Sequence, residues 1–558
     1  MTAGKNKSNR NPRSPSPQIA KRTKGNQIPK VSSVDIFVPT CENFKVLVDD
    51  SGGPYTAMLN QTNLAQNNNK FFLIQALESI KHPNQFATWF RWGRVGYTGQ
   101  TNLQLCSSVE EAVNIFTQKF FDKTLNEWIP KIHSKFKSVS GKYTLLPVES
   151  LTESSEDNAG KPMEKATVKY EETKLDKSVY ELIQLISSRE TFERELTIAG
   201  IDLTRMPLGR ISAKMIKDGY AILRKLESQL CSGKVSRNDL IDLSNKFYTL
   251  IPHNFGFSKG VHYIIDSLSI LKEKIDLLET LSQIRESNDE MDRIVEMHKK
   301  EIVRANPVDE KYGLLGYEVS SLDSKCDEFD MIRLYKERTQ GPTHGTRTVI
   351  RNVYKLGRKM GNKTGTKNLK NKQLLWHGSR LTNWHSILSH GLKIAPPEAP
   401  HTGFMFDKGI YTADCYSKSA QYCYGSIGQR GLIVLCEVSL GNPMEALVAD
   451  YEASKKVGSK ASGFQSTKGV GRYRPNEAQF KTMSDGVVVP MGELIDTQTT
   501  EKAEPVTFQN RGARTSSRLA SFAPVMGANG SLLYNEYVVY DINQVEMKYL
   551  VEIEFVSS

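Results

Sequence analysis

Three residues in the C-terminal half of the chain could act on one bond. His377 stands in Leu374-Leu375-Trp376-His377-Gly378-Ser379, Tyr411 in Lys408-Gly409-Ile410-Tyr411, and Glu536 in Leu533-Tyr534-Asn535-Glu536-Tyr537. Each lies in a short apolar, strand-like run, so a fold could bring three distant segments to the wall of one pocket. The set suits cleavage of the bond between nicotinamide and ribose in NAD. Departure of nicotinamide builds positive charge on the ribose, as in glycoside cleavage. A carboxylate such as Glu536 beside the ribose hydroxyls stabilises that charge and polarises the incoming nucleophile. A neutral imidazole at His377 can hydrogen-bond a ribose hydroxyl, and the rings of Tyr411 and Tyr422 suit the flat nicotinamide. Gly378 lets its backbone N–H and C=O approach the carboxamide, and Ser419 could add a hydrogen bond. Taken singly, each residue has an ordinary reading: a His before Gly is a turn residue, a strand Tyr is packing, a strand Glu is solvated. No general motif is diagnostic here: there is no G-x-x-x-x-G-K-[ST], no G-x-G-x-x-G after a strand and no H-E-x-x-H.

The segments that must position these residues alternate short β runs with Gly and Pro breaks from about Ser324 to Ser558. Residues 431–438, 485–490, 536–540 and 548–555 read as strands, which predicts a predominantly antiparallel β unit with a few helices. Upstream, to about residue 305, helical periodicity dominates. Leu175, Val179, Leu182, Ile183 and Ile186 make one apolar stripe. Ile216, Tyr220, Ile222, Leu223 and Leu226 make a second, and Ile264, Leu268, Leu271, Ile275, Leu278 and Leu281 a third. This is a helical bundle, and His253, after Ile251-Pro252, reads as a helix-end or loop histidine. Residues 149–168, rich in Glu, Asp and Ser, read as a linker.

Before the linker, residues 34–38, 71–77 and 87–96 read as strands, and from Ser108 to Trp128 the spacing turns helical, with Ser108 and Glu111 as a capping box. A twisted sheet packed on one helix follows. Its strand Arg91-Trp92-Gly93-Arg94 carries guanidinium forks, which suit phosphate oxygens, beside an indole that can lie on a sugar or base. A solvated basic strand with a half-buried Trp is the plain alternative.

Composition sets the outer limits. At 558 residues, two to four domains are expected, and 39% hydrophobic with 24% charged residues is ordinary for a soluble protein. No apolar run is long enough for a transmembrane helix, and residues 1–30 hold no apolar signal segment, so neither membrane nor secretory pathway is expected. The seven cysteines form no C-x-x-C pair, which argues against a metal site and for a reduced intracellular setting. The net charge of +12 favours a polyanionic partner. Residues 1–30 hold eight Lys and Arg and no Asp or Glu, and read as a disordered basic arm suited to nucleic acid or to nuclear targeting through Lys21-Arg22-Thr23-Lys24.

Longer blocks carry a resemblance. Asn60-Gln61-Thr62-Asn63, Asn67-Asn68-Asn69-Lys70, Trp92-Gly93-Arg94 and Gly141-Lys142-Tyr143 resemble a WGR domain. Met206-Pro207-Leu208-Gly209-Arg210 and Ile216-Lys217-Asp218-Gly219-Tyr220 resemble the regulatory helical domain of DNA-dependent poly(ADP-ribose) polymerases. Leu375 to Arg380, Gly391 to Pro400, Lys408 to Tyr411, Ser417 to Cys423 and Tyr534 to Asp541 resemble that family's catalytic domain. The similarity runs through nearly the whole chain after residue 30, and is strongest to the short members without zinc fingers. The fold it implies is α+β and multidomain: a small WGR sheet-plus-helix domain at 31–148, an all-α regulatory bundle at 169–310, and at 324–558 a mixed α/β ADP-ribosyltransferase domain with a split antiparallel β-sheet.

The same resemblance implies NAD as co-substrate and no metal. It makes Glu536, His377 and Tyr411 the catalytic set, and Gly378, Ser379, Lys393, Lys418, Ser419 and Tyr422 donor-binding. Asn69, Lys70, Arg91, Trp92, Arg94 and Tyr143 become the DNA-contacting set, at a 5′-phosphate end or nick. Implied partners are damaged DNA and protein acceptors, including the chain itself (Ser8 or the acidic linker) and histones, in the nucleus. The helical domain is expected to cover the NAD site and loosen when DNA binds. A mono-ADP-ribosyltransferase of the same fold and a DNA-end scaffold with weak catalysis stay open. Four positions depart from the family: Lys393 replaces Arg, Phe404 Tyr, Asp407 Gly and Thr412 Phe. The segment 492–530, with Arg511, Arg514 and Arg518, is longer than the family's and is expected to form a mobile loop near the acceptor side, with a disordered spacer as the equal alternative. The last residues are Val556-Ser557-Ser558, where close relatives have the Leu-Trp that recruits a serine-directing accessory factor. The resemblance offers that partner while this ending lacks its contact.

Overall fold

The computed structural model describes residues 33–149, 169–198, 200–201, 210–232, 236–298, 303–345, 347–359, 369–401, 404–459, 461–498 and 532–557. The basic arm, nearly all of the linker, Met206 to Gly209 and most of segment 492–530 lie outside them.

The N-terminal unit is an antiparallel sheet of β1 (Thr56–Asn63), β2 (Asn68–Ser79), β3 (Phe86–Arg94) and β4 (Gln100–Cys106), paired in that order. The short strand Thr144–Leu145 closes the outer edge of β1. Helix α1 (Val109–Thr124) crosses one face and buries Ala112, Phe116 and Phe120. At about 1.5–3 kcal/mol per buried large apolar side chain, this stripe fixes the helix. Ser108 caps it by accepting from Glu111 N, whereas the Glu111 carboxylate accepts from Ser107 N at 2.7 Å, one residue before the cap. Residues 34–38 are not the expected strand: 34 and 35 are irregular and 36–38 turn. Their strand-like composition is overridden because Asp35 turns inward to a buried guanidinium, described below.

The helical unit comprises α2 (Lys177–Ile186), α3 (Arg189–Ile198), α4 (Ala213–Cys231), α5 (Arg237–Leu250) and α6 (Leu268–His298). Most residues of the expected stripes are buried; Leu175 and Ile222 are partly buried, and Leu268, which begins α6, is 43% exposed. Two cores cross unit boundaries. Phe247, Tyr248, Ile251 and Leu278 share one with Phe71, Leu73 and Trp89 of the sheet. Val179, Leu182, Ile183 and Ile186 share another with Leu375, Trp384 and Leu388 of the C-terminal unit. His253 is buried among Phe247, Tyr248 and Phe255, with Nδ1 on the Ile251 carbonyl at 2.7 Å, as a helix-end residue.

In the C-terminal unit the chain passes through β5 (Tyr317–Ser321), β6 (Arg347–Arg358), β7 (Lys372–Ser379), α7 (Trp384–His390), β8 (Ile410–Thr412), α8 (Tyr416–Gln421), β9 (Arg430–Ser439), β10 (Pro443–Ala446), β11 (Ser466–Gly469), β12 (Glu536–Val539) and β13 (Val545–Val556). One sheet runs β5-β6-β13-β9-β7 and ends in two short strands, Val488–Val489 and Lys481–Thr482. A second runs β8-β12-β11-β10. Among the described residues the two meet at one bridge, where Trp376 and Ala413 exchange backbone hydrogen bonds at 2.8 and 2.9 Å. The chain is thus α+β, and its split sheet sets His377 on one sheet and Tyr411 and Glu536 on the other.

Candidate active site

The bridge between the sheets builds the pocket. Both backbone groups of Trp376 are taken by Ala413. In a strand the groups two residues on point the same way, so the N–H and C=O of Gly378 face the same edge. Among the described residues no strand pairs with Gly378 there; its ladder partner Ile433 lies on the opposite edge. A donor–acceptor pair is left for an amide. A Cβ at residue 378 would lie 1.9 Å from the Ser419 carbonyl oxygen, so only glycine fits.

His377 Nδ1 donates to the Tyr411 carbonyl at 2.8 Å. That oxygen can only accept, which fixes the tautomer and leaves Nε2 as an acceptor. Burial holds the imidazole below its usual range, against the opposing pull of the Tyr411 bond, so it is neutral at pH 7. The Tyr411 hydroxyl donates to Asp407 O at 2.6 Å and accepts from Phe406 N at 3.0 Å. Burial, reinforced by the Glu536 carboxylate, pushes this phenol well up. Its hydroxyl is thus occupied with the loop, and what it offers a ligand is its half-buried ring.

Glu536 is 5% exposed. Oε1 accepts from Lys418 Nζ at 2.6 Å, and Oε2 has no hydrogen-bond partner among the described residues. Lys418, expected among the donor-binding residues, is therefore the counter-ion of the carboxylate. The Ser419 hydroxyl donates to Trp376 O at 3.0 Å, and Ser379 Oγ accepts from Asn383 at 2.9 Å. Tyr422 lies beyond α8, 41% exposed. A carboxylate with one bare oxygen, a neutral imidazole acceptor, an aromatic face and an amide clamp are what displacement at a ribose carbon needs.

Helix α6 reaches into this region, which its apolar stripe does not reveal. Lys272 Nζ sits 4.8 Å from the centre of the Phe404 ring and pairs with Asp276 at 2.7 Å. Burial draws this ammonium down, but Asp276, Glu279 and Glu536 more than offset it and hold it raised. Asp276 also accepts from the Tyr424 hydroxyl at 3.1 Å. Further along the same helix, Glu286 accepts from Lys393 at 2.6 Å and from Ser386 at 3.2 Å. Lys393, expected on the adenosine, is held by the helical unit. Helix α4 adds Arg224 on the Pro397 carbonyl at 3.1 Å and Lys217 beside Glu398 at 3.6 Å.

The expected DNA-contacting residues divide into two groups. Trp92 stacks on Phe72 at 5.7 Å, Tyr143 meets the Phe72 edge, and Lys70 lies 5.8 Å over Tyr143. Lys123, which sequence reasoning missed, lies 4.6 Å over Phe72. Burial and the neighbouring Lys119 and Lys70 lower its ammonium. Burial also pushes the Tyr143 phenol up to about 12. This is a basic, aromatic face. The other residues turn inward. Arg91 is a correction: its side chain is 0% exposed and pairs with the equally buried Asp35 at 2.5 Å, because both faces of β3 are covered and no solvated face exists there. Asn69 is buried and donates to His253 O at 2.8 Å. Arg94 donates to Gly256 O at 2.5 Å, joining the sheet to the helical unit.

Three family profiles match the chain: the WGR domain over residues 55–135, the poly(ADP-ribose) polymerase regulatory domain over 173–312, and the poly(ADP-ribose) polymerase catalytic domain over 326–512. The chain is 37% identical over 508 residues to poly [ADP-ribose] polymerase 2 of Arabidopsis thaliana, covering 90% of this chain and 73% of that protein. To poly [ADP-ribose] polymerase 2 of Homo sapiens it is 39% identical over 508 residues, covering 90% and 79%. To poly [ADP-ribose] polymerase 1 of Caenorhabditis elegans it is 33% identical over 516 residues, covering 92% and 50%. The matched domains and the fold around the site define an ADP-ribosyltransferase that takes NAD as its substrate. The chain belongs to the poly(ADP-ribose) polymerase family, and its resemblance within that family is to the second polymerase.

Proposed function

We propose that the chain is a nuclear polymerase switched on by DNA breaks and acting on proteins at damaged DNA, itself and histones included. One observation carries this reading: the helical unit touches both ends of the molecule. It holds Asn69 and Arg94 of the sheet at His253 and Gly256, and Phe404, Tyr424 and Lys393 of the donor region through α6. A ligand that reorients Arg94 and its neighbours acts on contacts of the unit that occupies the donor side. The mutually repelling Lys70, Lys119 and Lys123 beside Trp92 and Tyr143 suit a phosphate with a stacked base at a broken end.

In the transfer step, Gly378 holds the carboxamide, the Tyr411 ring lies on the nicotinamide and His377 Nε2 accepts from a ribose hydroxyl. The bond from ribose to nicotinamide breaks, and its electron pair leaves with nicotinamide. Glu536 stabilises the charge that develops on the ribose. The acceptor oxygen then bonds to the same carbon, and its proton passes to the Glu536 carboxylate. No metal takes part in this scheme. Labelled NAD with and without a nicked duplex bearing a 5′-phosphate tests the proposal. A size ladder that depends on DNA is expected. A single added unit would replace polymer by monomer, and incorporation indifferent to DNA would overturn the switch.

A further inference from the structure

Behind β12 lies a buried carboxylate that the transfer step does not use. Asp414 is 1% exposed. Its Oδ2 accepts from Asn535 Nδ2 at 2.7 Å and from the Tyr537 hydroxyl at 3.0 Å, while Oδ1 has no hydrogen-bond partner among the described residues. Residues 535 and 537 flank Glu536, and side chains alternate along a strand, so both donors lie on the face opposite the Glu536 side chain. One oxygen therefore grips the strand on either side of the carboxylate. We infer that Asp414 is a positioning residue for Glu536, acting through Asn535 and Tyr537. This rests on the proposed part of Glu536 in the chemistry.

The surrounding bonds make the grip rigid. Asn535 Oδ1 accepts from Gly471 N at 2.8 Å, and a Cβ on Gly471 would strike the Tyr534 backbone at 2.3 Å, so that approach requires glycine. The Tyr537 carbonyl accepts from Thr412 Oγ1 at 3.2 Å. Asp414 itself follows Ala413, whose backbone is locked to Trp376, and stands three residues after Tyr411, whose carbonyl orients His377. The segment 411–414 thus holds the imidazole at one end and the carboxylate strand at the other. A carboxylate is a costly residue for mere packing. Burial pushes its carboxyl up, opposed by Asn535, Tyr537 and the ammoniums of Lys418 and Lys468. An apolar side chain would fill the same space without that cost, and would accept from neither neighbour of Glu536.

The test is steady-state nicotinamide release by the full chain with nicked DNA. Asp414→Ala is expected to lower kcat by about 100-fold, the loss that a displacement of about 1 Å at a reacting group can produce, with KM for NAD within about twofold. Asp414→Asn retains an acceptor oxygen and should recover most of the loss. In a Glu536→Gln background, Asp414→Ala should cost less than about twofold more, since groups acting as one unit are non-additive. Tyr537→Phe removes one donor and keeps the ring; about a threefold to tenfold drop in kcat is expected for one lost hydrogen bond, and it carries the test if Asp414→Ala does not fold. Unchanged kcat in Tyr537→Phe or Asp414→Ala overturns the inference, as does an equal loss with and without Glu536. If Glu536→Gln keeps parental activity, the reading of Glu536 fails instead.

Discussion

The ion pair between Asp35 and Arg91 yields a quantitative prediction about the N-terminal sheet, the one proposed to meet DNA. Both side chains are 0% exposed and 2.5 Å apart. Asp35 also accepts from Trp89 Nε1 at 3.0 Å, and Arg91 donates to Thr98 O at 3.1 Å. Removing one partner strands the other charge in the core, which costs about 3–5 kcal/mol. For a unit of this size each kcal/mol lowers Tm by about 4–8 °C, so Asp35→Leu or Arg91→Met alone should melt the sheet first. The double substitution fills similar volume without charge and should be close to neutral, or more stable by up to about 4 kcal/mol. Urea unfolding of the full chain measures the total, and hydrogen exchange across residues 56–106 localises it. DNA affinity measured against salt separates burial from phosphate contact. Each lost phosphate contact reduces the slope of log K against log salt by about 0.9. Lys123→Ala and Lys70→Ala should show that reduction, and the folded double variant should not. A single substitution costing under about 1 kcal/mol would refute the buried-pair argument, as would a double variant as unstable as the two singles summed.

Glu536→Gln should abolish chain elongation while leaving DNA affinity unchanged, as read by product size and by fluorescence anisotropy of a nicked duplex; a parallel loss of DNA binding would mean the strand is disrupted. Glu286→Gln breaks the contact with Lys393, whose side chains are 46% and 34% exposed. Such a pair is worth about 0.2–1 kcal/mol, so turnover without DNA should rise by at most about fivefold, and a fall would count against the contact being restraining. His385 is buried, neither ring nitrogen has a hydrogen-bond partner among the described residues, and burial, then Lys311, pulls its imidazole down to about 4 from 6.5. Between those values the unfolded chain binds a proton that the folded chain excludes, so stability rises with pH across the window and is lost on acidification. His385→Leu should flatten that dependence by at most about 1.4 kcal/mol per pH unit in urea-unfolding free energies taken between about pH 4.5 and 6.

The strands expected at 431–438, 536–540 and 548–555 are legible because their apolar runs are bounded by Gly and Pro and because β13 alternates along its length, whereas 485–490 shortens to Val488–Val489 behind a turn at Gly486. The helical stripes are legible for the same reason, periodicity reporting which face is dry. Residues 34–38 mislead because their composition is that of a strand, while the fate of Asp35 is decided by Arg91 far along the chain. Arg91 misleads in turn: a basic residue beside Trp92 reads as surface, and only the covering of β3 by α1 and the helical unit makes it core. The trio of His377, Tyr411 and Glu536 is visible as residue types. The pairing of Glu536 with Lys418 and the grip of Asp414 are not, because each joins segments whose approach only the split sheet defines. Likewise the apolar stripe of α6 carries no sign of where its charges go, which only the fold lays against Phe404, Tyr424 and Lys393.

Helix α6 meets the donor side at Lys272, Asp276 and Glu286, spaced along one continuous rod of 31 residues. Each contact is weak, but a rigid body carrying several behaves as a multivalent ligand: while one holds, the others rebind at high local concentration. Breaking any one by mutation or by thermal motion therefore frees little of the pocket. A signal that tilts or melts the rod releases all of them together. Threshold behaviour is thus built into the geometry, and a graded series of single substitutions along α6 should give small effects that multiply rather than one that dominates.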